Sequence, residues 1–260
     1  MIRIISLLMI GVVSYSLGAD CGIDGKDCLC GTTNPDKIKK SKEGDWPWLV
    51  NVAVDDTTCT GVILSPDWVL TSNCLGKTDY TNFTGSIQYG NPDLTKTLIT
   101  NIKEIIPHPE FQILNSTRIY KINDIALVKL AEEIGFNSTL HGISLNDNEV
   151  YYGDPDVLRE TPVSPQPDDT CEIPPEGQKI LICTGNSAHG PTTGDEGGPL
   201  MLVRRDKFLL YGIVSGYTNR PFEEDLLAIL NSATYTQVNH YCEWIKEITG
   251  GEFVCESFSG

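Results

Sequence analysis

Short apolar runs separated by turn-forming residues dominate the chain, and this pattern is typical of an all-β protein. Trp48–Val54 is the first such run, and Thr60–Leu64 is predicted to pair with Trp68–Thr71 around the turn Ser65-Pro66-Asp67. Further strands are predicted at Ile102–Ile106, Ile125–Leu130, Lys179–Cys183, Pro199–Arg204 and Phe208–Ser215. The pattern therefore predicts antiparallel β-structure in both halves of the chain.

The only helix that the periodicity predicts lies near the C-terminus. Thr234–Val238 leads into a segment in which Tyr241, Ile245 and Ile248 recur at helical spacing. Asn239 is the predicted N-cap, because an asparagine side chain can accept a hydrogen bond from the first turn. We therefore expect an amphipathic helix that packs its apolar face on the strands.

The N-terminal segment has the features of a secretory signal. Arg3 precedes an apolar run, Ile4–Val13, and Gly18-Ala19 supplies small residues for cleavage, so residues 1–19 are predicted to be a signal peptide. Residues 20–43 form a cysteine-containing extension, residues 44–250 the folded domain and residues 251–260 a tail. No later segment is long and apolar enough for a membrane helix, so no membrane association is expected.

The net charge of the chain bears on which classes of molecule it can bind. The chain has 35 acidic and 19 basic residues, a formal net charge of −16. Such a surface repels nucleic acid and anionic lipid, so neither is an expected partner. A basic protein partner is compatible with this charge, although many secreted proteins are simply acidic.

Sequons and cysteines agree with a secreted protein. Three N-glycosylation sequons begin at Asn82, Asn115 and Asn137, and nine cysteines are typical of an oxidising compartment. The spacing of Cys28-Leu29-Cys30 is not that of a usual zinc pair, so structural bridging is favoured over a metal site. No metal and no cofactor are expected.

Three ordered sequence blocks carry a family resemblance. Trp68–Cys74 reads WVLTSNC, Asn123–Leu130 reads NDIALVKL and Gly194–Leu200 reads GDEGGPL. They resemble the WVLTAAHC, NDIALLKL and GDSGGPL blocks of the trypsin/chymotrypsin family of serine proteases. The resemblance implies two six-stranded antiparallel β-barrels with a C-terminal helix over residues 44–250. It also implies that Asn73, Asp124 and Glu196 stand at the positions of the catalytic triad.

Two of these triad positions lack the residue that the chemistry needs. Asn73 has no ring nitrogen that could accept a proton, so it cannot act as the general base. Glu196 replaces the attacking serine, and a carboxylate is a poor acyl acceptor at a peptide bond. We therefore expect no functional catalytic residue. Asp124 is expected to be retained for structure, with Asn73 and Ser215 as its hydrogen-bond donors.

The substrate-binding positions implied by the resemblance also differ. Gly190 stands where trypsin-like enzymes carry a specificity aspartate, and Gly216-Tyr217 replaces the Trp-Gly pair that lines the groove. The Ile-Val-Gly-Gly run that active members expose on activation is absent near Pro35. The specificity pocket is therefore predicted to be reshaped or closed.

The resemblance implies the disulfides Cys59–Cys74 and Cys171–Cys183. The pairing of five cysteines stays open: Cys21, Cys28, Cys30, Cys242 and Cys255. The three N-terminal cysteines are expected to bond each other or to reach Cys242 or Cys255. An odd set leaves one thiol free or bonded to another chain, and non-reducing electrophoresis would reveal such a dimer. The segment after Leu145 is also shorter than in the family, near Asp147–Asp154.

These observations together predict a secreted, catalytically inactive serine protease homologue that acts by binding a protein. The expected role is that of a regulator, decoy or cofactor in a protease cascade. Its expected partner is a protease, an inhibitor, or an immune or clotting factor. Two alternatives remain: an endopeptidase with residual or altered hydrolysis, and a structural or carrier glycoprotein.

Overall fold

The structure is a computed structural model. It describes residues 11–13, 39–40, 46–91, 93–115, 119–135, 159–160, 163, 165–187, 190–204, 207–221, 229–253 and 255–257. Strands account for most of the ordered backbone in these ranges, and α1 (Cys242–Ile248) is their one α-helix. The predicted all-β class is confirmed.

Sixteen strands follow one another along the described residues. The first eight are β1 (Gly11–Val13), β2 (Lys39–Lys40), β3 (Leu49–Val54), β4 (Thr57–Ser65), β5 (Trp68–Thr71), β6 (Gly85–Tyr89), β7 (Leu98–Pro107) and β8 (Gln112–Asn115). The others are β9 (Ile119–Ile122), β10 (Ala126–Leu130), β11 (Arg159–Glu160), β12 (Leu181–Ser187), β13 (Pro199–Arg204), β14 (Lys207–Pro221), β15 (Ile229–Gln237) and β16 (Cys255–Ser257).

The first half of the chain closes into a six-stranded antiparallel barrel. Its strand order is β10-β5-β4-β3-β6-β7, and β10 closes the barrel by pairing with both β5 and β7. Apolar side chains that alternate along these strands fill the interior, including Val50, Val52, Val69, Ile87 and Val128. Closure leaves the barrel itself without an unpaired edge, and the two-stranded β8–β9 hairpin lies outside it.

The second half forms a six-stranded sheet that remains open among the described residues. The order is β12-β15-β14-β1-β16, with β13 paired to β14. The resemblance predicted a second closed barrel here. The open sheet differs from that prediction. Residues 136–158, which include the segment that is shorter than in the family, lie outside the described residues.

One strand of this sheet belongs to the predicted signal peptide. Gly11–Val13 pairs with Cys255–Ser257, and Val13 also pairs with Leu210 of β14. Cleavage after Ala19 would remove this strand from the mature chain. The cysteines Cys21, Cys28 and Cys30, the region around Pro35 and the sequon at Asn137 lie outside the described residues.

The chain leaves β15 through a 3-10 turn, Val238–Tyr241, before α1 begins at Cys242. Tyr241 and Ile245 are buried and Ile248 packs beside them, as the helical spacing predicted. Asn239 was the wrong N-cap, because it lies inside the 3-10 turn and Gln237 precedes that turn. In the described ranges, no helix has the length and apolarity that a bilayer span needs.

One apolar cluster joins the two halves. Leu70 and Leu127 of the first barrel pack with Ile213 of β14, Ile245 of α1 and Phe253 near the C-terminus. All five side chains are at most 2 % exposed. Burying such side chains stabilises a fold by about 1.5–3 kcal/mol each, so the two halves are held together by a shared core.

The described residues contain three disulfides. Cys59–Cys74 and Cys171–Cys183 are the pairs that the resemblance implies. Cys242–Cys255 joins α1 to β16, so neither cysteine is paired with the N-terminal extension. Six of the nine cysteines are thereby used, and Cys21, Cys28 and Cys30 remain as an odd set.

Replacing both Cys242 and Cys255 by serine should lower the free energy of unfolding by about 2–4 kcal/mol, because the unfolded chain regains the freedom of the closed loop. Denaturant unfolding under non-reducing conditions measures the loss. A change below about 0.5 kcal/mol would contradict the stabilising role of this bridge.

Candidate functional site: a pocket around Asp124 and Glu196

The loop that carries Glu196 is fixed against the first barrel by backbone contacts. The amide of Thr60 donates to the Glu196 carbonyl oxygen at 2.8 Å, and Thr60 Oγ1 donates to the Gly194 carbonyl at 2.9 Å. On the other side, the Gly197 amide donates to the Val214 carbonyl at 2.8 Å. The loop is therefore bonded to both halves of the molecule.

Gly197 permits this close approach. Its φ of 84° lies in the left-handed region that favours glycine. A Cβ at this position would lie 2.2 Å from the Thr60 carbonyl oxygen and 2.3 Å from Thr71 Oγ1. Only a residue without a side chain allows the loop to dock here.

Asp124 lies at the base of the site and is fully buried. Its two carboxylate oxygens accept hydrogen bonds from the backbone amide of Asn73 at 2.8 Å and from Ser215 Oγ at 2.7 Å. Lys121 Nζ lies 3.8 Å from Asp124 Oδ2. Burial raises the pKa of Asp124 above its ordinary value, although Lys121 and the two hydrogen bonds oppose this effect.

The Asn73 side chain points to partners other than Asp124. Its Nδ2 donates to the Lys77 carbonyl at 2.7 Å, and its Oδ1 accepts a hydrogen bond from the Tyr80 hydroxyl. Asn73 was therefore rightly expected as a donor to Asp124, but its backbone amide makes the bond. Both ends of the side-chain amide are therefore bonded within the loop after β5.

The Glu196 carboxylate is held by its own loop. Its Oε2 accepts a hydrogen bond from the Gly194 amide at 2.8 Å. In the part of the chain that the structure describes, no lysine or arginine nitrogen forms an ion pair with this carboxylate. Among the described residues, the Glu196 carboxylate therefore has a hydrogen bond but no ion-pair partner.

A pocket of about 250 Å³ opens beside Glu196, and Lys121 contributes to its wall. The other lining residues are Ile119, Ser215, Gly216, Tyr217 and Thr234. The Tyr217 hydroxyl forms a hydrogen bond with Thr193 Oγ1, which fixes the ring. Among the predicted specificity positions, Gly216 and Tyr217 line this pocket, whereas Gly190 does not.

Sequence reasoning missed Ile119 and Lys121. The signal was available, because Lys121 precedes Asp124 by only three residues, but no strand was predicted there. The β8–β9 hairpin places Ile113 opposite Lys121, and it is this pairing that aims Lys121 at the site. A hairpin with mixed polar and apolar residues gives a weak strand pattern.

Two of the predicted glycosylation positions lie among the described residues. Asn82 is exposed, and the backbone of Asn115 lies in β8. Within the described ranges, no group of three or more histidine, cysteine, aspartate or glutamate side chains is arranged to hold a metal ion.

Comparison with known families identifies the class of protein. The family model described as Trypsin matches residues 36–245, which is most of the chain. The chain therefore belongs to the trypsin family of serine proteases, as the three sequence blocks indicated.

Individual relatives are distant. The chain is 26 % identical over 250 residues to a mouse (Mus musculus) tryptase, with 80 % of this chain and 86 % of the tryptase covered. It is 26 % identical over 238 residues to an ovochymase of Halocynthia roretzi, which covers 78 % of this chain but only 14 % of that larger protein. The solved structure of mouse neuropsin, a serine protease, has a similar fold, with a TM-score of 0.61 at 19 % identity, covering 82 % of this chain and 99 % of neuropsin.

Gly197→Ala should destabilise the protein by about 3 kcal/mol or more, because the new methyl group meets the backbone of Thr60 and breaks the docking of the loop. Gly250→Ala is the matched control. Gly250 also has a positive φ, 65°, but a Cβ there meets nothing within 4 Å. Gly250→Ala should lower the free energy of unfolding by only about 1–2 kcal/mol, the strain of a left-handed backbone alone. Equal losses in denaturant unfolding would contradict the docking argument.

Asp124→Asn should become more stable relative to the unmodified chain as the pH rises from 4 to 7. Folding raises the pKa of Asp124, so the native state binds the carboxyl proton more tightly than the unfolded state does. The unmodified chain therefore loses free energy of unfolding as the pH rises through the raised pKa, whereas asparagine does not titrate. Denaturant unfolding at several pH values measures the difference.

Asp93→Asn is the control with the opposite sign. Hydrogen bonds from Lys96 and Thr95 lower the pKa of Asp93 to about 2, so its stabilisation is lost as pH falls towards 2. A pH-independent difference for Asp124→Asn would show that Asp124 titrates normally in the fold.

Proposed function

We propose that this protein is a secreted, catalytically inactive serine protease homologue that acts by binding another protein. In this proposal it serves as a regulator, decoy or cofactor in a protease cascade. The observation that carries the proposal is the hydrogen bond from the Gly194 amide to the carboxylate of Glu196.

That hydrogen bond bears directly on protease chemistry. In serine proteases of this family, the corresponding amide helps to bind the oxyanion that develops during attack on the peptide bond. Here the Gly194 amide already has an anionic partner, and a substrate oxyanion would meet the negative charge of Glu196. Removing one oxyanion donor alone costs about 10²–10³ in turnover in a related chemistry.

The neighbourhood of Asp124 supports the same proposal. Asn73 provides no proton acceptor, and its side chain is committed to Lys77 and Tyr80. The charged group nearest to Asp124 is the ammonium of Lys121, at 3.8 Å. The partners of the Asp124 carboxylate are therefore Lys121, Ser215 and the Asn73 backbone amide, and no imidazole is among them.

Secretion and binding rest on features of the whole chain. The signal-like segment 1–19, the sequons and the three disulfides agree with passage through an oxidising compartment. The family fold displays loops around the former cleft, and such loops can recognise proteins without cleaving them. A decoy would compete with an active relative for its substrate, inhibitor or cofactor.

The purified protein should neither hydrolyse peptide amides nor react with a serine-directed phosphonate, because Glu196 offers no nucleophilic hydroxyl. The double variant Asn73→His/Glu196→Ser should also show little or no hydrolysis, since the activation run and the groove wall differ as well. Mass spectrometry detects the label, and fluorogenic peptides measure hydrolysis.

The control for this experiment is Glu196→Ala, which removes the native carboxylate and introduces no hydroxyl at residue 196. Hydrolysis by the purified unmodified chain that is lost in Glu196→Ala would overturn the proposal in favour of the endopeptidase alternative. Efficient hydrolysis by the double variant would show that the remaining machinery is intact.

A further inference from the structure

Two neighbouring aliphatic side chains lie uncovered at one end of the first barrel. Leu98 and Ile99 begin β7 and are 60 % and 63 % exposed. In the antiparallel ladder with β6 they stand opposite Tyr89 and Gln88. None of these four residues lines the pocket beside Glu196, so this apolar surface is separate from the candidate site.

The exposure follows from where the strands of the barrel end. β10 pairs with β7 only as far as Ile102, which stands opposite Leu130. Among the described residues, Leu98 and Ile99 therefore have β6 on one side and no strand on the other. Successive side chains of a strand point to opposite faces, so neither face is covered at this end. An uncovered apolar strand end is a place where another chain can attach, and natural proteins usually protect it with charged residues or proline.

An acidic segment runs alongside the two aliphatic residues. After β10 the chain passes beside β7, where the Ala131 amide donates to the Asn101 carbonyl at 2.9 Å and Thr100 Oγ1 donates to the Glu132 carbonyl at 3.4 Å. Glu132 and Glu133 are both exposed. In the part of the chain that the structure describes, neither carboxylate forms an ion pair.

The other charges near this end of β7 occur as opposite pairs. Lys96, just before the strand, forms an ion pair with Asp93 at 2.8 Å. Lys103 and Glu104 follow each other further along β7 and carry opposite charges. The two glutamates after β10 are therefore the unbalanced charges beside the aliphatic pair.

Tyr89 connects the apolar part of this surface with the acidic part. Its ring is half-buried and stands opposite Leu98 in the ladder. Burial raises the pKa of the Tyr89 hydroxyl, and the charge of Glu132 raises it further, which places this carboxylate close to the ring. An apolar centre with a charged rim is the usual composition of a protein–protein interface.

We propose that this surface docks a basic, amphipathic segment of the partner protein. The surface comprises Tyr89, Leu98, Ile99, Glu132 and Glu133, and we name it the β7 patch. Apolar side chains of the segment cover the aliphatic pair, and its lysines or arginines face the two glutamates. The proposal rests on the proposed function, a protein that acts by binding, and it names the place and the chemistry of that binding.

The charge of the partner follows from complementarity. Facing charges of opposite sign orient an encounter and exclude partners of like charge. The formal net charge of −16 attracts any basic protein over longer distances. The aliphatic pair adds what net charge alone does not provide, because it favours a segment whose apolar residues lie on one face.

Two synthetic peptides with the same content of leucine and lysine test the proposal. One carries its leucines on a single helical face, the other has them scrambled, and fluorescence anisotropy at pH 7 and low salt compares their affinities. The amphipathic peptide should bind about ten-fold more tightly than the scrambled one, and added salt should weaken its binding. A third peptide with glutamate in place of lysine should not bind.

Ile99→Ser should weaken binding of the amphipathic peptide by about five-fold, because it removes apolar contact area. Ile113→Ser is the matched control. Ile113 is 46 % exposed on β8, outside the β7 patch, and its replacement should leave the affinity unchanged.

Glu132→Gln/Glu133→Gln should also weaken binding by about five-fold and reduce its salt dependence. Glu243→Gln/Glu247→Gln is the matched control, because it removes two exposed carboxylates from α1 and changes the net charge by the same amount. It should leave the affinity unchanged. If the serine variant does not fold, this pair of glutamine variants decides the question.

The outcomes separate this proposal from the proposed function. Equal affinity for the amphipathic and scrambled peptides, no binding of either, or equal effects of the patch variants and their controls would each overturn the β7 patch. Cleavage of the lysine peptides during the titration would instead overturn the proposed absence of catalysis, and mass spectrometry of the recovered peptides detects it.

Discussion

The site depends on the docking of one tight loop between the two halves of the molecule. The loop receives a hydrogen bond from the Thr60 amide of the first barrel, and the Gly197 amide donates one to Val214 of the second sheet. Because Gly197 has no side chain, the loop can lie against the backbone of β4. The backbone of Glu196 is held by these contacts, and its carboxylate accepts a further hydrogen bond from the Gly194 amide of the same loop.

Asp124 is fully buried, so its carboxylate depends on the groups packed around it. An unpaired buried carboxylate would cost several kcal/mol, and such a group persists only when its surroundings satisfy it. Ser215, the Asn73 amide and Lys121 do so here, and Thr236 Oγ1 also binds the Asp124 carbonyl at 2.9 Å. Replacing Asp124 by an apolar residue would leave the Ser215 hydroxyl, the Asn73 backbone amide and the Lys121 ammonium without this acceptor, which is a physical reason for keeping a carboxylate here.

The sequence predicted what local patterns and family blocks specify. Strongly apolar strands such as Trp68–Thr71 and Pro199–Arg204 were predicted with the bounds that the structure has. Gly85–Tyr89 was missed because only Ile87 on this strand is deeply buried, so the strand has little apolar pattern. Lys121 was missed because its importance comes from the pairing of β8 with β9, a contact that periodicity along one segment does not contain.

Asn73 and Glu196 differ in what they do to the site. The side-chain amide of Asn73 bonds to Lys77 and Tyr80 in its own loop. Glu196 accepts a hydrogen bond through Oε2 from its own loop and lines an open pocket. A carboxylate at residue 196 places a polar, ionisable group on the pocket wall opposite apolar and hydroxyl side chains, which a small or apolar residue would not do.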